Sequence, residues 1–289
     1  MTKFSSAALI AAGLIATGPA LAQSEPQGDR VEVNGMEMYY EVSGEGDPMI
    51  VLHGAHMNID TMGEIIPMLA QTHTVYAIEF QGHGRTTDID RPINYPNLAS
   101  DVAAFMDAVG IEKADVFGYS MGAAAGLKFA IDYPEKIDQL IAASTSFTYE
   151  GMQEEYLAMV PDMGPEMFAF FEEGWAELAP DPEGFDAFIE KMIALEHETF
   201  DWTEDVGELE APVLIIAGDA DVVTLEHSVE LFNLLGGGVM GDMGVPLPQS
   251  RLAIMPATSH TAVISQPDLL YAFIEPFLAG ETPAGFFEQ

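Results

Sequence analysis

Short apolar runs alternate along the chain with longer stretches in which apolar residues recur every three or four positions. The first kind is typical of strands buried on both faces of a parallel sheet, and it occurs at residues 49–52, 74–80, 114–117, 137–143, 213–217 and 252–255. The second kind is typical of helices, and it occurs at residues 61–71, 95–109, 121–131, 225–235 and 267–278. This alternation predicts an α/β fold in which helices cover both faces of a parallel sheet.

A hairpin is predicted before these elements. Two runs with alternating apolar residues, 31–33 and 36–42, flank Asn34-Gly35, and an Asn-Gly pair in this setting is a strong hairpin signal. The polar residues 23–30 carry no such pattern and are expected to be loosely held. The hairpin should therefore add two paired strands at the start of the fold.

The stretch from Phe147 to Glu210 differs from the rest of the chain. It holds 19 acidic residues against one basic residue, Lys191, and its methionine and aromatic residues recur at helical spacing. Four prolines divide it into short pieces, at positions 161, 165, 180 and 182. We interpret residues 147–210 as a cap of short helices inserted over the sheet, between core segments 23–146 and 211–289.

Residues 1–22 have the pattern of a secretory signal peptide. Lys3 provides a basic start, residues 7–17 form a short apolar stretch, and residues 20–22 (Ala-Leu-Ala) have the form of a cleavage site. A membrane anchor is the alternative, but the apolar stretch is too short to span a bilayer. We therefore expect cleavage after Ala22 and a periplasmic or secreted protein.

The charge of the chain is strongly negative. Lysine and arginine total 9 against 47 aspartate and glutamate, for a net charge of −38 at pH 7. Such a polyanion is repelled by nucleic acid and by anionic membranes, so we expect neither as a partner. The charge would also repel anionic substrates, but we favour the simpler interpretation of a solvated acidic surface, as in proteins from saline habitats. The chain has no cysteine, which excludes disulfides and a thiol nucleophile.

Gly118-Tyr119-Ser120-Met121-Gly122 lies between a predicted strand and a predicted helix. A Gly-x-Ser-x-Gly in this position is typical of a nucleophile elbow, a sharp turn that presents the serine hydroxyl at the end of a sheet. Glycine is needed at 118 and 122 because a side chain there would strike the neighbouring strand or helix. Ser120 should have a strained backbone. The alternative is a glycine-rich helix start with Ser120 as its N-cap.

A serine nucleophile needs a base within hydrogen-bond reach, and the base needs an orienting group. Of the seven histidines, His260 follows the last predicted strand, where the base of this arrangement belongs; the alternative is a loop histidine with a structural role. Two acids, Asp219 and Asp221, follow the strand at 213–217. We prefer Asp221 as the orienting acid, because Asp219 could instead cap the turn.

The negatively charged oxygen of the reaction intermediate needs fixed hydrogen-bond donors. The backbone N–H of Met121 comes free at the start of a helix, and we assign a second donor to Ala55 in the loop after residue 52. We expect four residues to line the substrate pocket, namely His56, Tyr119, Phe147 and Met152.

Two histidines of the same loop, His53 and His56, could bind a metal ion. No third ligand is spaced to join them, so we interpret His53-Gly54 as the turn that aims this loop. Neither a metal site nor a cofactor is expected.

These motifs together resemble the α/β-hydrolase superfamily over nearly the whole chain after residue 22. The motifs are the Asn34-Gly35 hairpin, His53-Gly54, Gly82-His83-Gly84-Arg85, the elbow from Gly118 to Gly122, Gly218 to Asp221, and Ser259-His260. The chain order of serine, acid and base is also that of this superfamily. The resemblance implies a mostly parallel eight-stranded sheet with a helical cap after the sixth strand. Two departures, Gln81 where arginine is common and Thr224-Leu225 where Val-Pro is usual, leave the subfamily open.

The function expected from these residues is that of an exported serine hydrolase. It would cleave carboxylic esters of small, largely apolar, uncharged substrates through an acyl-enzyme formed on Ser120. Two alternatives stay open: the same triad could serve C–C, lactone or amide hydrolysis or perhydrolysis, or the protein could bind a ligand with little turnover. The sequence leaves the substrate, the oligomeric state and the purpose of the loop at residues 236–248 undetermined.

Overall fold

A computed structural model describes residues 26–241 and 246–282. Eight strands of this part of the chain form one sheet, in the order β1-β2-β4-β3-β5-β6-β7-β8. The strands are β1 Gln27–Val33, β2 Met36–Ser43, β3 Asp47–Leu52, β4 His73–Ile78, β5 Ala114–Tyr119, β6 Ile137–Ala143, β7 Val213–Ala220 and β8 Arg251–Ser259. Strand β2 is antiparallel to both of its neighbours, and all pairs from β4 to β8 are parallel. The predicted α/β-hydrolase sheet is confirmed.

Helices lie on both faces of the sheet. They are α1 Ile65–Leu69, α2 Tyr95–Val109, α3 Met121–Asp132, α4 Glu154–Met159, α5 Glu172–Ala176, α6 Phe185–Glu196, α7 Thr203–Val206, α8 Leu225–Leu234 and α9 Pro267–Leu278. Helices α2, α3 and α8 pack into one apolar core, and α1 and α9 pack into a second core on the opposite face. The apolar run of β3 serves both, since Ile50 and Leu52 enter the first core while Met49 and Val51 enter the second. This is why the strand shows no polar alternation.

The start of the fold matches the predicted hairpin but not its predicted length. Asn34 and Gly35 form the turn with φ of 49° and 88°, the left-handed values that a tight hairpin turn requires. Strand β1 begins at Gln27, so the expectation that residues 23–30 are loosely held is wrong for 27–30. These residues pair through backbone hydrogen bonds with β2 at the edge of the sheet, where side chains stay exposed and need no apolar pattern.

The helix predicted at residues 61–71 is shorter and divided. A 3₁₀ helix at Ile59–Met62 ends at Gly63, whose φ of 62° interrupts the helical path, and α1 then covers Ile65–Leu69. The last strand is longer than predicted, because β8 continues from the apolar residues through to Ser259. That extension brings the following residue, His260, to the edge of the sheet.

The cap is the segment between β6 and β7. It consists of α4 to α7 together with five 3₁₀ turns. Two of the contacts that hold its middle part to the core are polar bonds of Trp175 and Lys191. The indole N–H of Trp175 donates to the carbonyl of Gly82 over 2.8 Å, and Lys191 Nζ lies 2.7 Å from Asp88 Oδ2. The cap therefore closes over the edge of the sheet at which β3, β4 and β5 end.

Two predicted features lie outside the described residues wholly or in part. The predicted signal peptide at 1–22 is outside them, as is the interval 242–245 of the loop at 236–248. Within residues 26–241 and 246–282, no helix has both the length and the apolar character needed to cross a bilayer.

Candidate active site

The turn between β5 and α3 has the geometry of a nucleophile elbow. Ser120 has φ 54° and ψ −121°, a left-handed backbone that confirms the predicted strain. A Cβ at Gly118 would collide with the carbonyl oxygen of Gly122, and a Cβ at Gly122 would collide with that of Leu52. Both obstacles are backbone atoms that cannot rotate away, so the turn requires glycine at 118 and 122.

Three side chains meet at this turn in one continuous chain of hydrogen bonds. Ser120 Oγ lies 2.8 Å from His260 Nε2, and His260 Nδ1 lies 2.6 Å from Asp221 Oδ1. Ser120 follows β5, Asp221 follows β7 and His260 follows β8. The carboxyl ends of parallel strands share one edge of a sheet, which is why residues 140 positions apart can meet.

The environment of Asp221 favours its charged form. Its carboxyl is buried, and burial alone would raise the pKa, but hydrogen bonds from His260, Ser144 and the Gly218 N–H hold the pKa below its usual value. Ser144 Oγ donates to Asp221 Oδ2 over 2.6 Å. Ser144 has a φ of 58°, and its backbone therefore turns sharply at the end of β6.

Asp219 has a different role from Asp221. Its side chain is exposed, and its two carboxylate oxygens accept the backbone N–H groups of Ala257 and Thr258 over 2.8 and 3.0 Å. Ala257 has a φ of 54°, so Asp219 stabilises a strained turn within β8. The structure thus places Asp221 beside the imidazole, while Asp219 supports the strand that carries His260.

Tyr119 contacts His260 through both its hydroxyl and its ring. Its hydroxyl donates to the backbone carbonyl of His260 over 2.9 Å, and its ring stacks on the imidazole with 5.6 Å between centroids. Burial raises the pKa of Tyr119, so the hydroxyl keeps its proton and stays a donor. The neighbour of the serine therefore orients the imidazole that faces the serine.

The two residues predicted to donate hydrogen bonds to the oxyanion lie beside Ser120 in the lining of the same cavity. Ala55 and Met121 line the same cavity as Ser120, and neither backbone N–H has a hydrogen-bond partner among the described residues. His53 shapes the loop that carries Ala55: its Nδ1–H donates to the Gly54 carbonyl over 2.8 Å, and its Nε2 accepts the Phe80 N–H over 3.1 Å. The predicted function of His53 as an aiming residue fits these bonds.

A cavity of about 500 Å³ opens above Ser120, between the edge of the sheet and the cap. The cap contributes most of its apolar wall, through Met152, Met159, Met163, Met167, Phe168, Phe170, Phe171 and Phe200. Thioether side chains adapt their shape to what they enclose, so this wall suits an apolar group of variable outline. Of the predicted pocket residues, His56, Tyr119 and Met152 line the cavity.

The prediction that Phe147 lines the cavity is wrong. Phe147 is 1% exposed and lies outside the lining, with its ring stacked on His227 at 3.9 Å between centroids. His227 Nε2 also accepts the Phe147 N–H over 3.1 Å. Phe147 therefore attaches the first residues of the cap to α8. Burial lowers the pKa of His227 to about 4, so the ring on which Phe147 stacks is neutral at pH 7.

His56 lies in the apolar wall between two phenylalanines. Its ring stacks on Phe168 at 4.7 Å and on Phe171 at 5.1 Å, and neither ring nitrogen has a hydrogen-bond partner in the described part of the chain. Burial lowers the pKa of His56 to about 4, so the ring is neutral at pH 7. His56 thus contacts the cap through ring stacking and not through hydrogen bonds of its ring nitrogens.

The polar residues of the cavity wall that sequence reasoning missed include Tyr95, Tyr156, Glu196 and Ser144. A signal for Glu196 was available: it lies four positions after Met192, on the face of α6 that Phe188 and Met192 bury. An acidic residue on an apolar helical face indicates a position with a polar task. Ser144 had a weaker signal, its place directly after β6.

The sheet order, the elbow and the assembled serine, histidine and aspartate define an enzyme of the α/β-hydrolase class. A family model for the α/β hydrolase fold matches residues 47–183. This match and the order of the eight strands show that the chain has the α/β-hydrolase fold. Within the described residues, no group of three or more His, Asp or Glu side chains is placed to hold a metal ion.

Several known proteins resemble the chain over most of its length. A pimeloyl-[acyl-carrier protein] methyl ester esterase of Yersinia enterocolitica is 22% identical over 83% of this chain and 97% of its own. A putative carbamate hydrolase of Azorhizobium caulinodans is 24% identical over 81% of this chain and 91% of its own. Both relatives are named as hydrolases, and the similarity covers more than nine-tenths of each relative's own sequence.

Solved structures show the same architecture. A 2-hydroxy-6-oxo-6-phenylhexa-2,4-dienoate hydrolase from a Rhodococcus species superimposes with a TM-score of 0.70 at 19% identity, covering 88% of this chain and 99% of its own. A carboxylesterase from Bacillus subtilis superimposes with a TM-score of 0.68 at 16% identity, covering 90% and 93%. Because both sequence identities are below 20%, these likenesses show a shared fold only.

Proposed function

We propose that this protein is an exported serine hydrolase that cleaves carboxylic esters of small, largely apolar, uncharged substrates. The observation that carries the proposal is the hydrogen-bonded chain from Ser120 through His260 to Asp221, opening into an apolar cavity. An isolated serine hydroxyl is a weak nucleophile, and this arrangement supplies the base and the orienting acid that it needs. Export rests on the pattern of residues 1–22.

In the first half of the proposed reaction, Ser120 Oγ attacks the ester carbonyl carbon while His260 Nε2 takes the hydroxyl proton. Asp221 holds the imidazole through its Nδ1–H and stabilises the positive charge that forms there. The N–H groups of Ala55 and Met121 would stabilise the oxyanion of the tetrahedral intermediate. His260 then gives its proton to the departing alcohol, which leaves an acyl group on Ser120.

In the second half, water attacks the acyl-enzyme, again with His260 as base. The new tetrahedral intermediate collapses, the carboxylic acid departs, and Ser120 Oγ recovers its proton from His260. Every proton is transferred through His260 Nε2, whose position depends on Asp221 and on the Tyr119 hydroxyl.

Three observations support an ester substrate of this kind. The cavity wall is dominated by methionine and phenylalanine, the net charge of −38 repels anions, and two of the similar proteins are named as esterases. The carbamate and dienoate hydrolases among the similar proteins keep amide-type and C–C hydrolysis as the alternatives.

A series of p-nitrophenyl esters from acetate to octanoate tests the proposal. We expect the native protein to cleave this series and Ser120→Ala to lose at least about 10⁴-fold in kcat, with an unchanged melting temperature. Ser265→Ala is the matched control, because this exposed hydroxyl donates only to the nearby Thr261 carbonyl. Labelling with a fluorophosphonate should modify Ser120, as seen by peptide mass spectrometry.

Two outcomes would contradict the proposal. Cleavage that persists in Ser120→Ala would assign it to another group or to a contaminant. A native protein that reacts with the fluorophosphonate but cleaves none of the esters would favour one of the other hydrolyses, or ligand binding with little turnover.

A further inference from the structure

One region of the cavity wall is polar, and its residues take no role in the proposed ester hydrolysis. It is formed by Glu196 at the end of α6, Tyr156 in α4 and Tyr95 at the start of α2. The Tyr156 hydroxyl donates to Glu196 Oε2 over 2.6 Å. The hydrogen bonds of the described residues do not include Glu196 Oε1 or the Tyr95 hydroxyl.

The surroundings of these two groups are apolar. The Tyr95 ring packs edge-on against Phe200 at 5.1 Å, and Leu195 and Met159 belong to the same wall. No lysine or arginine lines the cavity in the described part of the chain. A carboxyl group in such surroundings is costly unless its oxygens are satisfied, and here the protein satisfies one of two.

A structural role accounts for part of this arrangement. The bond from Tyr156 to Glu196 joins α4 to α6 and so stabilises the cap. That bond uses only one of the two carboxylate oxygens, and it does not involve the Tyr95 hydroxyl. Glu196 and Tyr95 thus supply one further acceptor and one further donor to the lining of the cavity that contains Ser120.

We propose that Glu196 and Tyr95 form a subsite for a hydroxyl group on the substrate. A hydroxyl donates one hydrogen bond and accepts others, so it can donate to Glu196 Oε1 while it accepts from the Tyr95 hydroxyl. The proposal rests on the proposed function and narrows its substrates to esters that are apolar along most of their length and carry one hydroxyl. An ester with a methyl group at that place would leave both protein groups unpaired.

Two pairs of esters that differ only in hydroxyl against methyl test the subsite. Methyl 6-hydroxyhexanoate against methyl heptanoate places the hydroxyl on the acyl side, and 4-hydroxybutyl acetate against pentyl acetate places it on the alcohol side. The quantity compared is the hydroxyl-to-methyl ratio of kcat/KM, followed by acid release. We expect Glu196→Leu to lower this ratio about tenfold for at least one pair, and Tyr95→Phe by a smaller factor.

Two further variants complete the test. Glu196→Gln keeps an oxygen acceptor of the same size, so it should retain most of the preference even if Glu196→Leu folds poorly. Glu190→Leu is the matched control, since Glu190 is exposed on the same helix and does not line the cavity, and its ratio should equal that of the native protein. Ratios unchanged for both pairs in Glu196→Leu and Tyr95→Phe would overturn the subsite while leaving ester hydrolysis in place.

A direct binding measurement separates this proposal from the proposed function. If the native protein cleaves none of the four esters, ester hydrolysis fails, and the subsite is then judged on the Ser120→Ala protein by calorimetry with hexane-1,6-diol and heptan-1-ol. A diol-to-alcohol affinity ratio that falls about tenfold when Glu196→Leu is added supports the subsite. An equal ratio in both proteins overturns it.

Discussion

The two walls of the cavity are built in different ways. The wall that carries Ser120, Asp221 and His260 consists of residues placed directly after parallel strands, which are themselves buried on both faces. The opposite wall belongs to the cap, whose helices are 4 to 12 residues long and alternate with 3₁₀ turns. The positions of Ser120, Asp221 and His260 thus depend on the sheet, whereas the groups that would select a substrate depend on a separate segment of short helices.

The largest effect expected from this comparison separates two neighbouring acids on the sheet side. Asp221→Asn removes the charge that orients His260, and we expect kcat to fall about 10³–10⁴-fold. Asp219→Asn weakens the bonds to the Ala257 and Thr258 N–H groups, so it should lower the melting temperature and change kcat less than about threefold. Ester hydrolysis and thermal unfolding of both variants make the check, and equal losses of kcat would contradict the assignment.

The next effect compares a glycine of the elbow with a glycine of the cap. Gly122→Ala would place a Cβ against the Leu52 and His53 carbonyl oxygens, which belong to rigid backbone, and we expect it to destabilise the fold by about 3 kcal/mol or more. Gly174→Ala, in α5 of the cap, meets no atom within 4 Å and should stabilise by about 0.5–1 kcal/mol, because alanine favours the helix. Denaturant unfolding measures both, and a neutral Gly122→Ala would refute the close packing of the elbow.

The smallest effect concerns the contact between the two walls at His56. Its folded pKa of about 4 lies below the ordinary 6.5, so the unfolded chain takes up the proton first as the pH falls. The contribution of the neutral His56 ring to the free energy of unfolding is therefore fully present above about pH 6.5. It is lost progressively as the pH falls toward 4. At pH 5 this loss is about 2 kcal/mol at most.

His56→Asn isolates that contribution, because asparagine tolerates the left-handed φ of 58° and does not titrate. Between pH 7 and pH 5, we expect the native protein to lose more stability than the variant, as measured by denaturant unfolding at each pH. The difference between the two proteins removes the contribution of the many carboxylates that they share. Parallel pH profiles would show that the His56 ring is solvated.

The sheet side could be predicted from sequence almost residue by residue. Its signals are local: a Gly-x-Ser-x-Gly between a strand and a helix, an acid after one strand and a histidine after another. Since strand ends converge at one edge, local signals were enough to bring Ser120, Asp221 and His260 together. The position of Ser144 after β6 was only a weak signal for its contact with Asp221. The contact depends on a left-handed backbone at Ser144, and left-handed positions are usually marked by glycine.

The cap side could be predicted only in outline. Composition and proline spacing indicated short helices, but which face of each helix meets the cavity depends on packing between distant segments. Phe147 was therefore assigned to the cavity although it packs on His227, and Glu196 was not assigned to it at all. The start of strand β1 was missed for a related reason. An edge strand is held by backbone hydrogen bonds, so its side chains need no alternation of apolar and polar residues.

Lys191 is the one basic residue in the acidic stretch from Phe147 to Glu210, and the cap uses it to contact Asp88 in the core. Asp88 also accepts a hydrogen bond from Gln81, a neutral side chain at a position where arginine is common in the superfamily. The positive charge that this core carboxylate faces is thus carried by the inserted segment. A chimera that exchanges this cap for that of another α/β-hydrolase would have to carry its own cation for Asp88, or restore one by Gln81→Arg.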